Sequence, residues 1–177
     1  QALNWKRGTP QQVIRPDVSD YEQTVDNNGW ITSMTDPMNR TDNYTLDNMG
    51  RVTLVDPHGS WANTSVSYSF PTSGGAVQTI TTGQGRQTLT YDGLYRPILE
   101  RTQALDTGWS SYVNTDYDGL GRVSFKSQPS TSPTHSQGVA TTYDGIGRVK
   151  TVTETAINAV TTHNYYSSHR HRVIDPT

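Results

Sequence analysis

The chain has 177 residues, with 14 lysines and arginines against 16 aspartates and glutamates, and a net charge of −2. This balance, without any basic block, excludes the electrostatic footprint of a nucleic-acid-binding protein, and the lack of cysteine excludes disulfides and thiolate metal sites. Apolar residues with glycine make up about 39% of the chain, below the roughly 45–50% of globular domains. We therefore predict no large filled core, although 16 aromatic residues argue against disorder. No apolar run is long enough to predict a membrane span.

One phrase recurs along the chain in exact or degenerate form: Tyr-Asp, then any two residues, then Gly-Arg. Its copies begin, in chain order, at Asn4, Val25, Leu46, Tyr68, Tyr91, Tyr117, Tyr143 and Tyr165. Tyr91, Tyr117 and Tyr143 are 26 residues apart, and the other copies lie 21 to 23 residues from their neighbours. A period that runs from end to end predicts a single array of about eight repeats over residues 1–177.

Each copy of the phrase predicts a hairpin turn. Aspartate is favoured at the first position of a type I turn, and glycine at the fourth, where φ is positive; such a turn is a common β-hairpin loop. The residues that carry this repeat-turn motif are Asp26, Gly29, Asp47, Gly50, Arg51, Tyr91, Asp92, Tyr117, Asp118, Gly121, Arg122, Tyr143, Asp144, Gly147 and Arg148. The flanking tyrosines and arginines are assigned to paired strands. A second series of turns is predicted at Asp36–Asn39 and Asp56–Gly59, where proline follows the aspartate.

The segments between the turns predict short strands. Residues 51–55, 76–81 and 148–153 are rich in β-branched side chains, and no helix is predicted. Two strands per repeat give about sixteen strands, and open sheets rarely exceed about ten without curling. We predict an all-β fold in which tandem antiparallel β-hairpin repeats form a curved sheet, part of a hollow β-shell or spiral.

The repeated phrase, the Asp-Pro-x-Gly turns and the opening segment Trp5–Pro10 resemble the YD-repeat, or rearrangement-hotspot (Rhs), family, over essentially the whole chain. The resemblance implies large secreted or surface proteins of bacteria, and teneurins of animals, whose repeats coil into a hollow shell. In bacterial toxins the shell encloses a C-terminal toxin, and in other members the repeats are linked to carbohydrate binding and cell-surface contact. Family members that release their toxin by self-cleavage carry Asp-Pro-x-Gly-Leu, but Asp56–Gly59 continues with Ser60. No catalytic residue is carried over.

The resemblance therefore implies a non-enzymatic structural segment of a longer secreted or cell-surface protein, without a cofactor. The first hypothesis is a shell segment that encapsulates a C-terminal toxin or other cargo, with the flanking shell repeats and the cargo as partners. The alternative is a carbohydrate- or receptor-binding module of a cell-surface adhesin. Because cutting a continuous sheet leaves unpaired strand edges, we also expect this chain to self-associate through them.

The tryptophans are the candidate ligand-contact residues. Trp5, Trp30, Trp61 and Trp109 lie at or near predicted turns, where an indole ring either stacks on a sugar or plugs the inner face of the shell. The sequence leaves both interpretations open.

Two metal-binding interpretations compete with simpler ones. Asp92, Asp118 and Asp144 form either a calcium ladder or a series of turn caps. His169 and His171 are either metal ligands or part of a basic patch with the neighbouring arginines. In both cases the simpler interpretation is favoured, and we predict no metal site.

Overall fold

The computed structural model of the chain describes residues 1–17, 20–166 and 170–176, and these residues form sixteen β-strands and no helix. The strands are β1 (Ala2–Lys6), β2 (Thr9–Ile14), β3 (Asp20–Val25), β4 (Ile31–Thr35), β5 (Thr41–Leu46), β6 (Val52–Asp56), β7 (Thr64–Ser69), β8 (Ala76–Thr82), β9 (Gly85–Tyr91), β10 (Pro97–Ala104), β11 (Ser110–Tyr117), β12 (Val123–Ser127), β13 (Gly138–Tyr143), β14 (Val149–Glu154), β15 (Ala159–Tyr165) and β16 (His171–Ile174). The predicted all-β fold is confirmed. In the part of the chain that the structure describes, nothing forms a helix long and apolar enough to span a membrane.

The chain divides into two compact units, Gln1–Tyr68 with Gln78–Gly85, and Ser69–Val77 with Arg86–Thr177. In the first unit, strands β1 to β7 pair in chain order, each antiparallel to the next. In the second unit, strands β10 to β16 do the same. This order follows from the sequence, because a short turn after most strands places the next strand beside it.

Six strands end on the first residue of a copy of the repeated phrase. These end residues are Val25, Leu46, Tyr91, Tyr117, Tyr143 and Tyr165. At the turn itself the register shifts by one residue, since Tyr117 pairs with Val123 whereas Asp116 pairs with Phe125. Gly121 has a φ of +80°. A type I turn followed by a left-handed residue, beside a β-bulge, is the hairpin loop that the sequence predicts.

The first repeat departs from the prediction. The sequence pattern starts a worn copy at Asn4, but strand β1 continues through Asn4 to Lys6. Lys6 pairs with Thr9, and the two residues between them, Arg7 and Gly8, have φ values of +53° and +83°. Two consecutive left-handed residues make a two-residue type I′ turn, so this hairpin closes without an aspartate.

The second series of turns is partly as predicted. In the Asp36 turn, the Asn39 N–H donates to the Asp36 carbonyl at 2.9 Å, and Asn39 has a φ of +60°. The segment after Asp56 is a longer loop, residues 57–63, in which the His58 N–H donates to the Asp42 carboxylate at 2.9 Å. A side chain from a neighbouring hairpin therefore helps to hold this second loop.

The sheets bury few side chains. Among the described residues, Val25 is the only buried apolar side chain, and no large side chain is fully buried. The accessible surface is 11656 Å², whereas a compact protein of this mass exposes roughly 8,600 Å². The prediction of no large filled core is confirmed for the residues that the structure describes. Its stability must therefore come mainly from contacts between neighbouring strands and turns.

Candidate functional site

The Asp118 turn shows how the repeated phrase closes a loop. Asp118 Oδ1 accepts the backbone N–H of Leu120 at 2.9 Å and of Arg122 at 3.0 Å. Asp118 Oδ2 accepts Arg122 Nε at 2.7 Å and Nη2 at 2.6 Å. The Gly121 N–H donates to the Asp118 carbonyl at 2.9 Å. One carboxylate thus caps the turn and fixes the orientation of the arginine side chain.

The same carboxylate–guanidinium geometry recurs at four other turns. The equivalent pairs, each with the arginine Nε 2.7 or 2.8 Å from the aspartate Oδ2, are Asp36–Arg40, Asp47–Arg51, Asp92–Arg96 and Asp144–Arg148. In the Asp26 turn, Trp30 stands in the arginine position, and its backbone N–H donates to Asp26 Oδ1 at 2.9 Å. Tyr95 stands in a glycine position with a φ of +59°. The turn geometry therefore tolerates substitution at either position.

These hydrogen bonds stabilise the ionised aspartates. The Arg122 guanidinium, with the Arg122 backbone N–H second, lowers the pKa of Asp118 below its usual value. The pKa of Asp92 is lowered first by the backbone N–H of Arg96 and then by its guanidinium. Hydrogen bonds to the charged form favour that form. Protonation of the aspartate therefore destabilises the turn.

At four of these turns the arginine also contacts a tyrosine of the next repeat. Arg122 Cζ lies 4.2 Å from the centroid of the Tyr143 ring, and the Tyr143 hydroxyl donates to the Val123 carbonyl at 2.8 Å. A guanidinium this close to a ring face is attracted by the ring quadrupole. The aspartate orients the arginine, the arginine holds the next tyrosine, and the tyrosine hydroxyl bonds back to the strand after the arginine. We call the set Asp118, Arg122 and Tyr143, with its equivalents, the inter-repeat clamp.

Three further clamps place the arginine guanidinium over the tyrosine ring of the next repeat. Their Cζ-to-centroid distances are 4.5 Å for Arg51–Tyr68, 4.4 Å for Arg96–Tyr117 and 3.9 Å for Arg148–Tyr165. The Tyr117 hydroxyl donates to the Pro97 carbonyl at 2.9 Å, and the Tyr68 hydroxyl donates to the Val52 carbonyl at 3.4 Å. Both units therefore use the clamp, the first at Arg51 and the second at the other positions.

The clamp gives a second reason for glycine in the phrase. A Cβ on Gly121 would lie 3.3 Å from Nη1 of Arg96, which belongs to the preceding repeat. A Cβ on Gly50 would lie 2.7 Å from Cε2 of Trp30. Trp30 thus occupies the place that arginine takes elsewhere, and its ring packs on Gly50. At Gly50 and Gly121, glycine therefore suits the left-handed turn conformation and also leaves room for a side chain of the preceding repeat.

Tyrosine and arginine make contacts between repeats in addition to their place beside the turns. The sequence pattern placed them in paired strands, and their contact between repeats was not predicted. The available signal was the spacing between the two residue types, because the clamped tyrosine follows its arginine by 21 residues at Arg96 and Arg122, and by 17 at Arg51 and Arg148.

The aspartates act as turn caps. Asp92, Asp118 and Asp144 each direct one carboxylate oxygen to backbone N–H groups and the other to arginine. In the described parts of the chain, no three metal-ligating side chains lie together. The geometry favours turn capping over the calcium ladder. The other metal candidate, His169, lies outside the described residues.

The predicted tryptophans have different environments. Trp61, Trp5 and Trp109 are exposed to 79%, 62% and 52%, respectively, whereas Trp30 is partly covered by its packing on Gly50. Trp61 lies in the loop 57–63, and Trp109 directly precedes strand β11. Their role as ligand contacts stays a prediction.

Trp61 borders a groove of about 320 Å³ in the first unit. Its lining residues are Met34, Asp36, Arg40, Asp42, Pro57, His58 and Trp61. The hydrogen bond from the His58 N–H to Asp42 anchors the loop that carries Trp61. An exposed indole beside two carboxylates and a guanidinium combines a flat stacking surface with polar groups that can accept and donate hydrogen bonds.

One segment of the chain matches a known protein family. Residues 25–60 match the family model of the RHS repeat. The match starts at the first residue of the Asp26 phrase and spans strands β4, β5 and β6 with their turns. The resemblance noted from the sequence is confirmed over this segment. No curated protein matches the chain.

Proposed function

We propose, from the premise that residues 25–60 are an RHS repeat, that the chain is a non-enzymatic wall segment of a secreted or cell-surface protein. In this proposal the wall is part of a shell that encloses a C-terminal toxin or other cargo. RHS repeats occur in extracellular or cell-surface proteins, which supports the proposed location.

The observation that carries the proposal is where the stabilising contacts lie. A globular domain is held together by a filled core, but Val25 is the only buried apolar side chain among the described residues. The phrase instead concentrates its ion pairs, hydrogen bonds and cation–π contacts at the hairpin turns and between successive repeats. Such a sheet does not need to fill its own faces, so it can serve as a partition between an enclosed space and the solvent.

Protease protection tests the encapsulation. In the full-length protein, a domain inside the shell should resist proteinase K, and the same domain produced alone should be digested. Replacing both Arg122 and Arg148 by alanine removes two clamps and should make the enclosed domain cleavable at a lower urea concentration. The matched control is Lys150→Ala, an exposed basic residue of strand β14. Equal digestion of the domain with and without the repeats would refute encapsulation.

A second candidate function is carbohydrate or receptor binding, and the groove beside Trp61 favours it. A sugar ring stacked on Trp61 would place its hydroxyls near Asp36, Asp42 and Arg40. Titration with oligosaccharides, followed by tryptophan fluorescence, should then show saturable binding that Trp61→Ala abolishes and Trp109→Ala preserves. Binding lost equally in both variants, or absent from the wild-type chain, would remove this candidate.

A further inference from the structure

We propose that Asn28 is a site of spontaneous covalent modification, where the chain converts asparagine to aspartate and isoaspartate through a cyclic imide formed with Gly29. Asn28 is exposed, and it is the only asparagine in the sequence that precedes a glycine. It lies in the turn between strands β3 and β4, inside the segment that matches the RHS repeat. The proposal concerns the chemistry of one turn, so it does not depend on the shell or on the carbohydrate groove.

The reaction needs no reagent other than water. The Gly29 backbone nitrogen attacks Asn28 Cγ and forms a C–N bond, and the side-chain nitrogen leaves as ammonia with the proton taken from Gly29. Water then opens the imide at one of its two carbonyls. One opening gives aspartate, and the other gives isoaspartate, which lengthens the main chain by one methylene group. Glycine favours the attack because it has no Cβ to obstruct it.

The attacking nitrogen is the most weakly held among the four phrase turns that place glycine at this position. The Gly29 N–H donates to the Asp26 carbonyl at 3.4 Å, whereas the equivalent N–H groups donate at 2.9 to 3.0 Å. These equivalents belong to Gly50, Gly121 and Gly147. An N–H···O distance is usually about 2.9–3.0 Å, so a bond of 3.4 Å is weak. The Gly29 nitrogen therefore loses little when it leaves this bond and turns to Asn28 Cγ.

The amide of Asn28 is loosely held as well. Its Nδ2 donates to Asp26 Oδ2 at 3.3 Å. In the Asp118 turn the corresponding carboxylate oxygen accepts the arginine Nε at 2.7 Å. Trp30 stands in the arginine position of the Asp26 turn and reaches Asp26 through its backbone N–H. The side-chain amide of Asn28 can therefore rotate towards Gly29 at the cost of a long hydrogen bond.

Three other phrase turns carry aspartate followed by glycine and could form the same imide, but their geometry opposes it. They begin at Asp92, Asp118 and Asp144. Asp118 directs one oxygen to two backbone N–H groups and the other to the Arg122 guanidinium. These bonds, that of the guanidinium first, lower the pKa of Asp118 and so reduce the protonated fraction, which is the form that reacts. We therefore expect the Asp-Gly turns to react more slowly than Asn28.

Conversion of Asn28 should weaken the turn that holds it. An aspartate at this position would place a second carboxylate beside Asp26 Oδ2, where Asn28 Nδ2 now donates a hydrogen bond. Like charges at this distance repel each other, and Trp30 supplies no guanidinium to compensate the new charge. Isoaspartate would also displace the Trp30 N–H from Asp26 Oδ1, which it reaches at 2.9 Å. Both products therefore loosen the hairpin of strands β3 and β4.

Peptide mapping by mass spectrometry, after incubation of the wild-type chain in neutral buffer, measures the reaction residue by residue. We expect Asn28 to gain the mass of deamidation severalfold faster than any other asparagine, and electron-transfer fragmentation to resolve aspartate and isoaspartate there. Asn158 is the matched internal comparison, because it is also an exposed turn asparagine but precedes Ala159. Asn28→Gln should abolish the reaction at this position, since its longer side chain would have to form a larger and less favourable ring.

The same experiment in urea tests the role of the turn geometry. Unfolding should raise the rate of isoaspartate formation at Asp118 severalfold, because its carboxylate loses the hydrogen bonds that hold it. Conversion of Asn158 as fast as Asn28 would overturn the proposal, and so would isoaspartate at Asp118 in the folded chain at the rate seen for Asn28. Asn28→Asp, which represents one product, should lower the melting temperature more than Asn158→Asp does; equal effects would contradict the expected loosening of the hairpin.

Discussion

The inter-repeat clamp makes a prediction that can be measured pair by pair. Tyr143→Phe keeps the ring beneath Arg122 and removes only the hydroxyl, which donates to Val123 at 2.8 Å. A hydrogen bond of this kind contributes about 0.5–1.5 kcal/mol to the free energy of unfolding. For a chain of this length, 1 kcal/mol corresponds to a change in melting temperature of about 2–4 °C. We therefore expect Tyr143→Phe to lower the melting temperature by a few degrees.

A double-mutant cycle isolates the remaining contact. Arg122→Gln and Tyr143→Ala, separately and together, should show a coupling energy of about 0.5–1 kcal/mol, the strength of a solvent-accessible cation–π contact. Urea unfolding followed by far-UV circular dichroism gives the required free energies. The control cycle pairs Arg148 with Tyr117, which belong to different clamps. A coupling energy no larger for Arg122 and Tyr143 than for this control pair would refute the clamp.

The other predictions concern the turn, its charge and its period. Gly121→Val forces a β-branched residue to a φ of +80° and should cost about 1–3 kcal/mol, whereas Gly119→Ala, with open space around its Cβ position, should change the melting temperature little. Because the pKa of Asp118 is lowered in the folded chain, its contribution is present above the unfolded-state pKa of about 3.9 and is lost as the pH falls through the lower folded value; Asp118→Asn should reduce this acid sensitivity, and an unchanged pH profile would contradict it. Deleting residues 118–143 joins Tyr117 to Asp144 and should leave a folded protein, while deleting residues 118–130 should disrupt the following strands, as proteolysis would show; similar collapse of both would argue against modular repeats. In size-exclusion chromatography the chain should associate as its concentration rises, since β1 pairs with β2 alone and β16 with β15 alone among the described strands; a strict monomer would contradict this.

The turns could be predicted from the sequence because their causes are local. Aspartate caps the N–H groups two and four residues ahead, and glycine supplies the left-handed conformation within the same five residues. The same local rules were wrong at Asn4, where Arg7 and Gly8 adopt a shorter turn that needs no cap. They also gave no reason for a tyrosine at position 95, whose positive φ is imposed by the surrounding hairpin.

The clamp could not be predicted from local rules, because its partners belong to different repeats. Arg122 and Tyr143 meet only after strands β12 and β13 have paired, so their contact depends on the sheet register. The tryptophan at position 30 shows the same limit. Its sequence position suggested a surface ligand contact or a plug, but the structure packs its ring on Gly50 of the next copy of the phrase.

The clamp also has a direction along the chain, since the arginine always precedes the tyrosine that it holds. During translation, the 21 residues from Arg122 to Tyr143 take about 1–4 s to emerge at roughly 5–20 residues per second, whereas a hairpin forms in about 1–10 μs. Each hairpin is therefore complete before the ribosome delivers the next, and each clamp arginine meets the tyrosine of the next repeat as that repeat emerges. Nearly identical repeats would otherwise pair interchangeably, and synthesis from the N-terminus gives each one its proper neighbour.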